Sequence, residues 1–343
     1  MRSKTLITTA TAAGVLLATA PALAGDAGLY GSSDPTFDGV YRQSLSVLAL
    51  EASDRKVPAS AIKWLKKQQC ADGGFEAYRS DAASPCQTPD PNSFSGQDSN
   101  STALAAAALW HTGNRKQARR AANWLDARQN ADGGWAYYPG PGAISDTNST
   151  AISLGALKLV RNSEKGGYLR SVQRRCGAPK RLRGGMAFDT SSRTVNDNAT
   201  SQAAWTLGGG MALPKPVRIK RSSPKLRCAT KKTSTQRAAI GYLNKRLSAV
   251  KGDLPFGGGF PGTDYAGTAT ATIALANAGA GRASVRTTTR FLKRSAKTWV
   301  TASGADSPGS LALLILVADS TGNNARDFGG LNLFKRLARS QNS

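Results

Sequence analysis

The chain has one histidine, three methionines and less than half as many acidic as basic residues, 21 Asp and Glu against 46 Lys and Arg. Each shortage removes a class of function. With His111 alone, no imidazole cluster can hold a transition metal, and no Ser/His/Asp set can be assembled except around that ring. His111 follows Trp110 at the end of an apolar helical segment, where a lone histidine reads as a helix C-terminal cation or a packed side chain. Beyond the first residues, no stretch reaches the roughly twenty apolar residues of a membrane-spanning helix.

What is present starts with an export signal. Arg2 and Lys4 precede an apolar run through Val15, Leu16 and Leu17 that ends in Ala22-Leu23-Ala24, the pattern of a secretory signal peptide over residues 1–24. Residues 25–343 are expected to form one secreted domain. Four cysteines in an exported chain read as two disulfides. Cys70 and Cys86 share one loop and are expected to pair, which leaves Cys176 for Cys228.

The net charge of +25 favours anionic surfaces. It is densest between Arg170 and Lys232, where fifteen Lys or Arg meet only Asp189 and Asp197. This region holds a basic, Pro-rich insertion at 211–235, read as a solvated loop or as an attachment point for an anionic cell-envelope polymer or lipid head groups. Export and the lack of any recognition motif or aromatic interleaving argue against nucleic acid.

The segment Ala61-Ile-Lys-Trp-Leu-Lys-Lys-Gln-Gln69-Cys-Ala-Asp-Gly-Gly-Phe75 returns as Ala121-Ala-Asn-Trp-Leu-Asp-Ala-Arg-Gln129-Asn-Ala-Asp-Gly-Gly-Trp135. A period of this size means that no unit buries its own apolar face and that stacked units make the core. Two kinds of helix alternate. One is amphipathic and basic, with anchors such as Trp64-Leu65 and Trp124-Leu125, and belongs outside. The other opens on an acidic residue and continues in small apolar residues, as in Asp98-Ser-Asn-Ser-Thr-Ala-Leu and Asp146-Thr-Asn-Ser-Thr-Ala-Ile, and is buried on all sides. Six buried helices, starting near 38, 98, 146, 197, 264 and 306, each precede one amphipathic helix. The glutamine persists at Gln173, then gives way to Leu247 and Ala296, and Gly-Gly recurs at Gly184-Gly185 and Gly258-Gly259.

At Trp64, Gln69, Gly73, Gly74 and Phe75, and again at Trp124, Gln129, Gly133, Gly134 and Trp135, the chain resembles the squalene cyclases, terpenoid cyclases and protein prenyltransferase β-subunits. The resemblance implies an all-α fold, an α6/α6 toroid of six inner and six outer helices around a central cavity. The family's chemistry does not carry over with it. Class II cyclases protonate an alkene with the middle Asp of an Asp-x-Asp-Asp-Thr-Ala motif, and here Asn100 and Asn148 stand at that position, where an amide is no acid. The prenyltransferase zinc site needs Asp, Cys and His ligands, whereas these cysteines are assigned to disulfides. The thioester sequence of related complement domains is absent.

No metal and no cofactor is expected. The leading reading is a non-catalytic binding toroid for a small or amphiphilic, even anionic, ligand. The alternatives are an isoprenoid enzyme with displaced acids and a glycan-active toroid with facing carboxylates. If the inner helices all run one way, their N-termini gather at one mouth. Asp98, Asp146, Asp197, Asp264 and Asp306 are then read as N-caps that open these helices, and with Asn100, Asn148 and Asn198 they are the ligand-binding candidates. Cys176 belongs at that mouth and Cys228 at the opposite end, so their pairing requires the insertion to run along the barrel wall.

Overall fold

The structure is a computed structural model that describes residues 26–163, 167–228, 233–257, 261–302 and 304–343. The signal-peptide reading over 1–24 and the Gly258-Gly259-Phe260 copy lie outside the described residues. Twelve α-helices are present among those described: α1 Gly39–Ala52, α2 Ala59–Lys67, α3 Ser99–His111, α4 Arg115–Asp126, α5 Thr147–Arg161, α6 Tyr168–Ser171, α7 Asp197–Leu207, α8 Thr235–Ala249, α9 Tyr265–Asn277, α10 Arg282–Val300, α11 Pro308–Thr321 and α12 Leu333–Arg339. Odd-numbered helices form the inner ring, each packed on the next, and α11 returns to α1, so the toroid closes.

Composition separates the two layers. In α4, Ala118, Ala121, Ala122, Trp124 and Leu125 are buried while the basic residues between them face outward. In α3, Ser99 through Leu109 are buried on every side. Such Ala-rich helices approach closely because they carry little side-chain volume, and an all-apolar circumference has to be covered on all sides. The middle turns of α3 and α9 are inaccessible even on the face toward the ring axis. The central cavity implied by the resemblance is therefore filled at that level, and the accessible part of the ring interior begins at the mouth.

The repeat glutamine joins successive units. Gln69 Nε2 donates to the carbonyls of Gly73, 3.0 Å, in its own turn and Gln117, 3.0 Å, in the next outer helix. Gln173 does the same with Gly184, 3.0 Å, and Thr235, 2.9 Å, and Gln129 reaches Gly133 at 2.9 Å. Both glycines of the turn are required. Gly73 has φ +104°, a region costly for residues with a Cβ. A Cβ on Gly74 would lie 2.4 Å from Trp124 Nε1. Gly134 and Gly185 are pressed in the same way by Tyr168 and Tyr242, so each turn is a seat for the next outer aromatic.

The sixth join is split between the two ends of the described chain. Gln341 Nε2 donates to Gly28 O at 3.1 Å and reaches Ser60 Oγ at 3.3 Å. Asp26 receives the Trp64 indole N–H as Asp72 receives that of Trp124. Backbone bonds from Gly28 to Asn342 and from Asn342 to Leu29 complete the seam. The sequence expectation that the glutamine is lost in the later units misses Gln341, which keeps the four-residue spacing after the buried Leu337.

Cys70–Cys86 and Cys176–Cys228 are both bonded. The insertion crosses the outer wall to make the second bond. Lys220 N donates to Gly279 O and Gly281 N to Ser222 O, Asn244 of α8 donates to Ser223, and the Pro224 carbonyl lies where a Cβ on Gly241 of α8 would meet it at 2.3 Å. His111 is not a helix cation: its Nε2 is 2.7 Å from Met211 O, and burial holds its pKa below the usual value.

Because Trp124 is 2% exposed and seats the neighbouring turn, Trp124→Ala is expected to lower stability by about 3–5 kcal/mol. Gln341→Ala should cost about 1–2 kcal/mol by releasing the seam. Denaturant unfolding followed by circular dichroism measures both, and an unchanged midpoint for Gln341→Ala would show that the seam does not hold the ring.

Candidate functional site

At the mouth, three of the five predicted acidic caps take that role. Asp98 accepts from Ser101 N at 2.7 Å, Asp146 from Ser149 N at 2.8 Å and Asp264 from Gly267 N at 2.7 Å. Asp197 and Asp306 do not. The caps there are Asn196 and Ser307, while Asp197 turns outward to Tyr242 and Arg246 of α8 and Asp306 to Arg336 of α12. The sequence holds a signal that separates Asn196 from Asp197. Asp98, Asp146, Asn196 and Asp264 each stand four residues before a threonine, at 102, 150, 200 and 268. Each hydroxyl accepts the backbone N–H of the preceding turn, from Phe75, Trp135, Met186 and Leu254 respectively.

The first N–H groups of α1, α3 and α5 are also occupied. Val40, Ser99 and Thr147 donate to the carbonyls of Ala77, Tyr137 and Phe188, which belong to the loop of the following unit. With the Asp98 and Asp146 side chains capping α3 and α5, those two N-termini do not offer free donors to an anion.

The predicted asparagines fall into two groups. Asn148 donates to Asn198, 3.0 Å, and to Gln202, 2.8 Å, and Asn198 donates to Asp264, 2.9 Å, so α5, α7 and α9 share one chain of amides ending on a carboxylate. Asn100 stands beside Asp98 on α3. Asp98 is fully buried, and neither its Oδ2 nor the Asn100 Oδ1 has a hydrogen-bond partner among the described residues. Burial pushes the Asp98 carboxyl up to about 7, against the lowering effect of the Ser101 and Asn100 N–H groups. Asp146 is raised for the same reason, and the neighbouring Tyr41 hydroxyl is pushed up to about 12 by burial and by Asp98.

Beside Asp98 and Asp146 stands an apolar rim that the sequence reading did not identify. Six of the seven large exposed apolar side chains among the described residues, Phe37, Phe94, Tyr137, Ile144, Phe188 and Phe256, lie just before inner helices, on loops that open at this one mouth. Phe94 and Tyr137 both pack edge-on against Tyr138, with ring centres 6.3 and 4.7 Å apart. With Ile144, Phe188 and Asp146, these three rings wall a pocket of about 420 Å³. Among the described residues, the one grouping with metal-ligand proximity is Cys70, Glu76 and Cys86, whose two sulfurs are consumed in a disulfide.

No protein-family model and no curated protein matches the chain. Among solved structures, a protein from Actinoplanes is similar at 17% identity with a TM-score of 0.52, over 83% of this chain and 90% of the other. The type II terpene cyclase MstE from Scytonema is similar at 16% identity with a TM-score of 0.47, over 74% and 68%. A single-residue variant of that cyclase, in complex with geranylgeranyl dihydroxybenzoate, is similar at 11% identity with a TM-score of 0.49, over 82% and 87%. The chain shares its helical fold with the Actinoplanes protein, and the closed ring rests on the packing of its own inner helices. At these identities the likeness concerns the fold and carries no activity.

The folded state favours protonated Asp98, so its stabilising contribution is complete below the unfolded pKa and is lost as pH rises through about 7. Asp98→Asn, a neutral cap of similar quality, is expected to match the parent near pH 5 and to exceed it in melting temperature near pH 8. Parallel melting curves across this range would exclude a buried, proton-binding Asp98.

Proposed function

We propose that the protein is an exported binding toroid that takes a small, uncharged amphiphilic ligand at the aromatic mouth. The observation that carries this reading is the concentration of exposed aromatic side chains on the loops before the inner helices, walling a pocket that also holds Asp146 and Asp189. Aromatic faces cover apolar or pyranose surfaces, while Asn148, Asn198, Gln202 and Asp264 supply donors and acceptors for hydroxyl groups. Asp146 and Asp189 at the pocket and Asp264 at the end of the amide chain weigh against an anion there, as do the occupied N-termini of α3 and α5. Export is supported by the signal-like N-terminus and by two disulfides, which persist in oxidising compartments. No helix among the described residues is long and apolar enough to cross a membrane.

One observation favours a second reading, an isoprenoid enzyme with a displaced acid: Asp98 is an uncharged carboxyl below about pH 7 with an unpaired oxygen. Its complete burial weighs against contact with a substrate, and Asn100 and Asn148 occupy the position of the proton donor. The binding reading is therefore preferred.

Octyl glucoside, which joins a sugar ring to an alkyl chain, is a suitable probe below its micelle concentration. Titration followed by intrinsic fluorescence should give saturable binding that Phe94→Ala or Tyr137→Ala weakens by about tenfold, the loss of roughly one stacked ring. Indistinguishable binding by parent and variants would remove the mouth from consideration. No conversion of squalene or of a prenyl diphosphate is expected, and turnover that vanishes in Asp98→Asn would establish the enzymatic reading instead.

A further inference from the structure

A second surface, on the outer wall and independent of the mouth, has the composition of an anion site. Helix α10 carries Arg282, Arg286, Arg290 and Lys293 along one side of a groove of about 280 Å³, closed by Ile219 of the insertion, by Thr321 at the end of α11 and by Asn323 after it. No Asp or Glu lines it. Arg286 and Arg290 are exposed, and neither makes a hydrogen bond or ion pair to the described residues, whereas Arg246, Arg336 and Lys215 elsewhere are paired with carboxylates. Lys293 is held over the Phe328 ring at 5.4 Å, and Arg282 Nε donates to Ile219 O at 2.8 Å, which fixes the two ends of the row. Thr289, more than nine-tenths buried, also lines the groove, and its hydroxyl has no hydrogen-bond partner among the described residues. A helical threonine ordinarily bonds the carbonyl four residues back, as Thr288 does with Ser284, so this buried hydroxyl is an unused donor in the wall directly beneath the cationic groove.

We propose that this groove binds phosphoryl groups, in particular successive phosphoryl groups of a phosphodiester or polyphosphate chain. Guanidinium groups match phosphoryl oxygens with paired, charge-assisted hydrogen bonds. Arg282, Arg286 and Arg290 recur every four residues, about 6 Å along the helix, which presents a row of charges to a linear polyanion rather than one point to a single ion. The larger wall groove beside α2 holds four lysines, but Glu51 lines it as well, and ammonium groups give no forked contact.

Isothermal titration with inorganic polyphosphate at about 20 and about 150 mM salt tests the proposal. The expected result is that Arg286→Gln/Arg290→Gln weakens binding at least about tenfold, while Lys63→Gln/Lys67→Gln on α2, which removes the same charge, weakens it less than about twofold. Thr289→Val, with charge unchanged, should weaken it severalfold. Unaltered melting temperatures would confirm that the variants remain folded. Equal losses in the two double variants would reduce the effect to net charge and overturn the site, as would absence of binding by the parent. In a parallel arm, vesicles of phosphatidylglycerol and phosphatidylcholine in equal parts are sedimented with each protein. Retention with the same variant dependence assigns the phosphoryl groups to lipid head groups, and binding of polyphosphate alone assigns them to a soluble or wall-bound polymer.

Discussion

A side-chain amide that bonds its own turn and the next outer helix is the constraint from which the ring is built. Gln69 and Gln173 each satisfy two backbone carbonyls with one nitrogen, so the position of one unit is set by the unit that follows. The turn must then accept both the glutamine and the incoming aromatic ring, which leaves no room for a Cβ at Gly74, Gly134 or Gly185. Because Gln341 makes the same kind of join with Gly28 and Ser60, the sixth unit is coupled to the first as the first is to the second. An open solenoid would expose the apolar faces of its end units; closure covers them.

Closure with small inner residues also decides where a ligand can be received. Ala and Thr bring α3 and α9 so close to their neighbours that their middle turns are sealed. Polar side chains that face the axis are consequently accessible only in the first turns, where loops from the following unit lie across the helix starts. The same loops carry Phe94, Tyr137 and Phe188 outward. Burial beneath them, rather than any unusual neighbour, keeps Asp98 protonated toward neutral pH.

Charge is sorted between the two surfaces. Carboxylates cap helices and terminate amide chains at the mouth, while arginine and lysine line the amphipathic outer helices. The mouth and the α10 wall therefore differ in the charge they present. The insertion contributes to the wall, since Ile219 borders the α10 groove and the Cys176–Cys228 bond anchors its far end.

The sequence by itself determined the two helix classes, the six-fold count and both disulfides, because apolar periodicity, Gly-Gly turns and cysteine pairing are local or repeat with the chain; the toroid followed from the family resemblance. It also located Asp98, Asp146 and Asp264 as caps. The threonine four residues on marks Asn196 rather than Asp197 as a cap, while the choice of Ser307 over Asp306 is visible only with Arg336 in place from the outer layer. Only the tertiary structure joined Gln341 to Gly28 across the whole chain, filled the axis, and gathered single aromatic residues from five loops into one rim, since each of these depends on distances between residues that the linear order keeps far apart.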